Sequence, residues 1–169
     1  MPIEITAPVG SFESLMSALQ NGADSVYFGI GKLNMRSRSS KNFTMDDLKE
    51  ITRICDEHGV RSYITLNTVI YDDEIEEMKQ IIDTAKECGV SAIIASDQSV
   101  IAYARQAGVE VHMSTQTNIT NIEAVKFYAA FADVMVTARE LSLDKVKAIT
   151  TAIDQENITG PGGERIKIE

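Results

Sequence analysis

The groups able to do chemistry are few. The 169 residues include two histidines and two cysteines, namely His58, His112, Cys55 and Cys88. His112 and Ser114 fall two apart on one strand-like run. At that spacing the Cα atoms lie roughly 6.5–7 Å apart and the side chains stand parallel, which does not make a nucleophile and its base. Asp97, His112 and Glu140 lack a metal-ligand spacing and no two-histidine pattern occurs, so no metal site is read. Two thiols in unrelated contexts make neither a disulfide framework nor a four-thiolate centre, and the chain by itself is expected to hold no cofactor. A carboxylate pair for glycoside chemistry is not readable either. Between Ile30 and Thr44 the charged residues are Lys32, Arg36, Arg38 and Lys41, with no carboxylate before Asp46. Such a stretch reads as a solvated loop or as an anion clamp.

The elements that must position these residues follow from periodicity. Apolar or half-apolar runs at 3–8, 25–29, 61–67, 91–96, 110–115 and 133–138 read as strands. Between them, segments at 11–21, 44–58, 72–88, 98–107, 121–130 and 142–154 carry apolar residues three and four apart, as in Leu48, Ile51, Ile54 and Cys55. A weak repeat marks the junctions: Gly22, Gly59, Gly89 and Gly108 each fall where a helix should stop and a strand begin. Glycine takes the left-handed conformation that ends a helix without a Cβ penalty. Ser11, Thr44 and Ser142 stand at the expected N-caps, and His58 at a helix C-terminus, where a cation complements the dipole.

Helix-length connections between successive strands require parallel pairing with right-handed crossovers, so the class is α/β. Gly29-Ile30-Gly31 lacks the third glycine of a dinucleotide fingerprint and opens no helix. Gly160-Pro161-Gly162-Gly163 is a turn, after which Arg165, Lys167 and Glu169 alternate with Ile166 and Ile168 as a seventh strand. A full (β/α)8 barrel takes ~250 residues. The expectation is therefore a parallel barrel of TIM type, incomplete in this chain, with about seven strands and six helices. Residues 1–169 would be the N-terminal part of that domain.

Strand parity then selects a site. A barrel strand buries its apolar set under the helices, so the polar parity faces the axis. That parity is Glu4, Thr6 and Pro8; Tyr27 and Gly29; Tyr63, Thr65 and Asn67; His112, Ser114 and Gln116; and Met135, Thr137 and Arg139. The fourth strand is apolar on both faces, and the parity of Ile93 and Ala95 leads to Asp97. Catalytic groups of such barrels sit at the strand C-termini. The substrate-binding candidates are Arg36, Arg38, Asn67, Asp97, Ser114, Gln116, Thr137 and Arg139, an arrangement suited to an anionic ligand, and the catalytic candidates are His112 and Glu140. His112 also reads as a satisfied core histidine, and Arg139 with Glu140 as a rim ion pair.

Composition narrows the class further. There are 16 Lys and Arg against 25 Asp and Glu, a net charge of −9, which disfavours non-specific nucleic-acid binding. Hydrophobic residues make up 44% of the chain, ample for a core. No apolar run nears the ~20 residues of a membrane span, and the N-terminus lacks the pattern of a secretory signal, so a cytoplasmic protein is expected. The sequons at Asn118 and Asn157 then read as chance.

Several ordered motifs carry a family resemblance. Thr6-Ala7-Pro8-Val9-Gly10-Ser11-Phe12-Glu13, the stretch from Asn21 to Gly29, Leu66-Asn67-Thr68, the run from His112 to Asn118, and Ala138-Arg139-Glu140-Leu141-Ser142 together resemble the collagenase-like peptidases, family thirty-two among peptidases of unknown catalytic type. The resemblance implies a barrel-like N-terminal domain and a His-Gly-Ala-Leu-Cys type motif just past the strand beginning at Glu164. It implies peptide-bond hydrolysis by family name. It equally implies an alternative, oxygen-independent hydroxylation of tRNA, rRNA or a quinone precursor, with an iron–sulfur cluster on downstream cysteines. One tRNA-acting branch depends on prephenate, a dicarboxylate that would suit Arg36, Arg38 and Arg139. Substrates of peptide or RNA type and a small anionic ligand are thus the expected partners. A third reading is a non-enzymatic interaction module that self-associates through open barrel edges.

Overall fold

The computed structural model describes residues 3–35, 37 and 43–169, so Arg36 and Arg38 lie outside the described residues. Its strands are β1 (Thr6–Pro8), β2 (Ser25–Gly29), β3 (Arg61–Leu66), β4 (Ala92–Ala95), β5 (Glu110–Met113), β6 (Val134–Met135) and β7 (Lys167–Ile168). Its helices are α1 (Phe12–Gln20), α2 (Met45–Glu57), α3 (Ile75–Glu87), α4 (Gln98–Ala107), α5 (Ile122–Tyr128) and α6 (Leu143–Glu156). Seven strands pair in sequence order, every neighbouring pair parallel. An open doubly wound sheet reverses its strand order at a switch point. Here the order never reverses, and the sheet curls into a half-barrel with the six helices on its outside.

Local signals explain the element ends. Ser11 and Thr44 each close a capping box, with Ser14 and Asp47 respectively. Gly22, Gly59, Gly89 and Gly108 take φ of 80°, 66°, 78° and 78°, the left-handed turn that lets the chain leave a helix and enter the next strand. The main core lies between sheet and helices: Val26, Phe28, Ile64, Leu66, Ile93 and Met113 on the sheet meet Leu15, Leu48, Ile51, Ile82, Val100 and Val125 on the helices. Burying one such side chain contributes about 1.5–3 kcal/mol. No helix among the described residues is long and apolar enough to cross a membrane.

Two strands face otherwise than their parity suggests. In β6, Val134 pairs in register with inward-facing His112, and Met135 is buried against the helices. The axis therefore sees Val134 and Val136 rather than Met135. In β4, Ile94 pairs with Thr65 and His112 and faces inward, while Ile93 and Ala95 join the helix-side core. Both strands carry apolar residues on both faces, so alternation held no information about which face meets the axis. The fifth strand also ends early: Thr115–Thr117 form a 3-10 turn, and Gln116 sits on that turn instead of continuing the strand.

Candidate functional site at the mouth of the half-barrel

Parallel register stacks the inward side chains in layers. Tyr27, Tyr63 and Ala92 form one row, and the next is Gly29, Thr65, Ile94, His112 and Val134; because barrel strands tilt, this second row runs from the mouth at Thr65 and Ile94 to the other end at His112 and Val134. Tyr63, Ala92 and Ile94, with Tyr27 packed against them, form a small core separate from the main one. This plug divides the interior. On the mouth side a cavity of about 490 Å3 is lined by Tyr27, Thr65, Asn67, Ile94, Ser114 and Gln116, and further by Met35, Thr115, Val136, Thr137, Ala138, Arg139, Leu141 and Glu169, the last of which also borders the cavity at the other end.

Asn67 organises one wall of that cavity. Its Oδ1 accepts the Met35 amide at 3.1 Å, its Nδ2 donates to Ser114 Oγ at 3.1 Å, and its backbone carbonyl accepts the Ser96 hydroxyl at 3.0 Å. The loop after β2 and the ends of β3, β4 and β5 are thus tied to one amide. The start of the same loop is held by Asn34, fully buried, which donates to the Ile30 and Gly31 carbonyls at 3.3 Å. A Cβ on Gly29 would lie 2.7 Å from Asn34 Nδ2, so glycine is required there for close approach. Ser114 is buried and its hydroxyl also receives the Gln116 amide at 3.4 Å. Gln116 and Arg139 are exposed on the opposite wall.

The other end of the interior is charged. Glu4 accepts from the Tyr63 hydroxyl at 2.7 Å and pairs with Arg61. Burial pushes the Glu4 carboxyl up, but hydrogen bonds from Ser25 and Tyr63 and the Arg61 charge outweigh it and hold it below the usual carboxylate range. His112 belongs to this end. Its ring packs edge-on to Tyr63 at 4.7 Å, its Nε2 pairs with Glu110 Oε1 at 3.0 Å, and its buried Nδ1 has no hydrogen-bond partner among the described residues. The hydrogen bond from His112 is the main cause that lowers the Glu110 carboxyl.

Residues 10–158 match the family model of Peptidase family U32. The chain belongs to that family. It is 57% identical over 166 residues to the collagenase of Porphyromonas gingivalis, covering 98% of this chain and 40% of that protein. It is 30% identical over 156 residues to tRNA hydroxylation protein P1 of Bacillus subtilis, covering 90% of this chain and 37% of that protein. The chain therefore spans about 40% of the length of these two relatives. A solved U32 peptidase superposes with a TM-score of 0.72 at 14% identity, covering 89% of this chain and 65% of the other, a likeness of fold.

In this U32 chain Asn67, Ser114, Gln116, Thr137 and Arg139 come together at the mouth. Asp97 does not line it. Its carboxylate caps α4, accepting the Ser99 amide at 2.8 Å and hydroxyl at 2.6 Å and the Ile70 amide at 3.2 Å. Burial pushes that carboxyl up, and these hydrogen bonds override it and hold it low. His112 lines the cavity on the far side of the plug, while Glu140 is exposed and lines neither cavity, so the structure does not bring the two together. Alternation did not mark Ile94 and Val136 as mouth residues, and Met35 and Leu141 lie on loops that carry no periodic signal. Cys55 is buried in α2, where burial pushes its thiol up to about 11, and Cys88 ends α3. No group of three or more His, Cys, Asp or Glu able to hold a metal occurs among the described residues. These two thiols, one buried in α2 and the other at the end of α3, do not fit an iron–sulfur cluster.

Proposed function

We propose that this chain supplies the substrate-holding mouth of a U32 peptidase and that its substrate is a peptide. The observation that carries this reading is the lining of the mouth: amide and hydroxyl groups of Asn67, Ser114, Gln116 and Thr137 around apolar Ile94 and Val136, with Arg139 and Glu169 as its two charged residues. Neutral donors and acceptors over an apolar floor suit a peptide, whose backbone offers both kinds of partner and whose side chains fill the floor. The 57% identity to a protein named collagenase supports the same reading. These residues are assigned binding and orientation. Neither His112 nor Glu140 is assigned a step in bond cleavage, since neither lines the mouth.

The hydroxylation reading is favoured by the tRNA hydroxylation relative at 30% identity. One pair of measurements separates the two. Gelatin hydrolysis and bound iron with acid-labile sulfide are measured on the full-length protein purified without oxygen. Hydrolysis without added redox equivalents is the expected result. A bound cluster together with no release of peptide fragments transfers the mouth to hydroxylation chemistry and overturns the peptidase reading.

A further inference from the structure

We propose that the gap between β1 and β7 is the seat of one further parallel strand and its following helix, supplied by the part of the full-length protein that lies outside these 169 residues, and that an inward side chain of this strand completes the floor of the mouth. Both edges of the gap are open. Along a parallel strand, successive residues alternate in the neighbour that their N–H and C=O groups reach. On β1, the Ile5 carbonyl accepts the Asp24 and Ser25 amides at 2.9 and 3.2 Å and the Val9 amide donates to the Tyr27 carbonyl at 3.0 Å, so the Thr6 backbone turns the other way, where no described strand lies. On β7, the Lys167 and Glu169 amides donate to the Asp133 and Met135 carbonyls at 2.9 and 3.0 Å, which turns the Ile168 backbone toward the gap. The two edges wall one cavity of about 720 Å3, lined by Thr6 from β1, by Lys167 and Ile168 from β7 and by Ile153 from α6.

The levels of the interior define what the gap lacks. Because barrel strands tilt, moving two strands along the sheet and two residues toward the mouth keeps a constant level. That step leads from Tyr63 to His112, whose rings touch at 4.7 Å. The same step leads from Tyr27 to Ile94 and from Ile94 to Val136, and all of these line the mouth. A barrel layer has four corners, contributed by alternate strands. Here β2, β4 and β6 supply their corners, and the remaining one falls in the gap. On the outside, Ile3 and Ile5 alternate with Glu4 and Thr6 and so lie on the helix side of the sheet, yet they are 91% and 59% exposed. The helix after the added strand covers them.

The source of the strand follows from length, handedness and width. The matched 166 residues are 40% of the Porphyromonas gingivalis collagenase, so a protein of that length has ample chain for a strand and a helix. A right-handed crossover from β7 delivers the next parallel strand to the free edge of β7. The gap is walled on both sides and admits a single strand, not the sheet edge of a second copy. An ion is excluded as occupant because the charges around the cavity are matched: Glu4 pairs with Arg61, Asp154 with Arg165 and Lys167 with Glu164, while Asp24 accepts the Ile5 amide at 2.8 Å. Glu169, which has no ion pair with a described residue, is a single carboxylate and makes no ion site by itself.

The test is hydrogen–deuterium exchange read by mass spectrometry, on the full-length protein and on this chain at low and high concentration. Segments 3–8 and 165–169 are expected to exchange about 100-fold more slowly in the full-length protein than in this chain, because their free edges gain ladder bonds there. Interior strand β3 is the reference for folding. If β3 of this chain is itself unprotected, the full-length protein decides alone, with both segments expected to match its β3. Ile5→Asp should lower the melting temperature of the full-length protein, since it places a charge under the added helix. Fast exchange of either segment in a full-length protein whose β3 is protected overturns the proposal, and so does an Ile5→Asp variant that melts like the parent. Protection of both segments in this chain that rises with concentration gives the gap to a second copy and overturns it too. The inference does not rest on the peptidase reading, and the presence or absence of gelatin hydrolysis leaves it standing.

Discussion

Asn67 Nδ2 donates to Ser114 Oγ at 3.1 Å, joining the ends of β3 and β5 across β4. The same residue takes the Met35 amide on Oδ1 and the Ser96 hydroxyl on its carbonyl, so the mouth is held by a side chain that the sequence presents only as a binding candidate. Asn67→Ala should destabilise the fold by about 1–3 kcal/mol, because the Met35 amide and the Ser114 hydroxyl lose their partner. Asn67→Asp should cost less, since its carboxylate still accepts from both. Urea denaturation of the two variants checks the order, and an alanine variant as stable as the parent would show that Asn67 does not organise the wall.

Gly160 and Gly22 offer a controlled comparison. A Cβ at Gly160 would meet the Asp133 carboxylate and lie 2.9 Å from the Ala132 carbonyl oxygen, backbone that cannot step aside. At Gly22, with φ of +80°, a Cβ would meet nothing within 4 Å. Gly22→Ala should therefore cost only the left-handed strain, about 1–2 kcal/mol. Gly160→Ala adds a steric clash and disturbs the turn in which the Gly162 amide donates to Asp133 at 2.8 Å. Its melting temperature should fall below that of Gly22→Ala. The reverse order would mean that the turn at residues 160–163 yields freely.

Acid should weaken the fold through Glu4 and Glu110. Both carboxyls are held below their ordinary 4.5 in the folded chain, Glu4 by Ser25, Tyr63 and Arg61 against the upward push of burial, Glu110 by His112. A depressed carboxylate contributes stability that is full above its unfolded value and is lost as pH falls through the folded one. The urea midpoint should therefore drop on acidification below 4.5, and Glu4→Gln should flatten that limb while leaving the Tyr63 hydroxyl an acceptor. An unchanged acid limb in Glu4→Gln would remove Glu4 from the account.

His112→Phe tests whether the buried imidazole works or packs. The ring contact with Tyr63 is retained, a buried ring nitrogen without a hydrogen-bond partner among the described residues is removed, and Glu110, whose side chain is 45% exposed, can be rehydrated. The expected change in stability is within about 1 kcal/mol, and peptide affinity at the mouth should not move. A large loss of affinity in a stably folded variant would restore His112 as a working group.

The alternation of elements was legible in the sequence because each signal is local. Glycine after a helix, a serine or threonine with a partner three residues on, and apolar residues at helical spacing act within one turn of chain. Strand parity was legible in β1, β2, β3 and β5, where one set of residues is the more polar. It gave no answer in β4, where both faces are apolar and Ile94 faces the axis, and the wrong one in β6, where Val134 rather than Met135 does. Alternation reports burial only when the two faces differ in polarity. Asp97 misled for another reason, since an aspartate after a strand serves a helix N-cap as readily as a site. What the tertiary structure alone decided is depth and company. The stagger of parallel strands places His112 against Tyr63 at the far end of the interior and leaves Gln116 and Arg139 on the lining of the mouth. That stagger is set by hydrogen-bond register between strands far apart in sequence, which no local pattern of residues records.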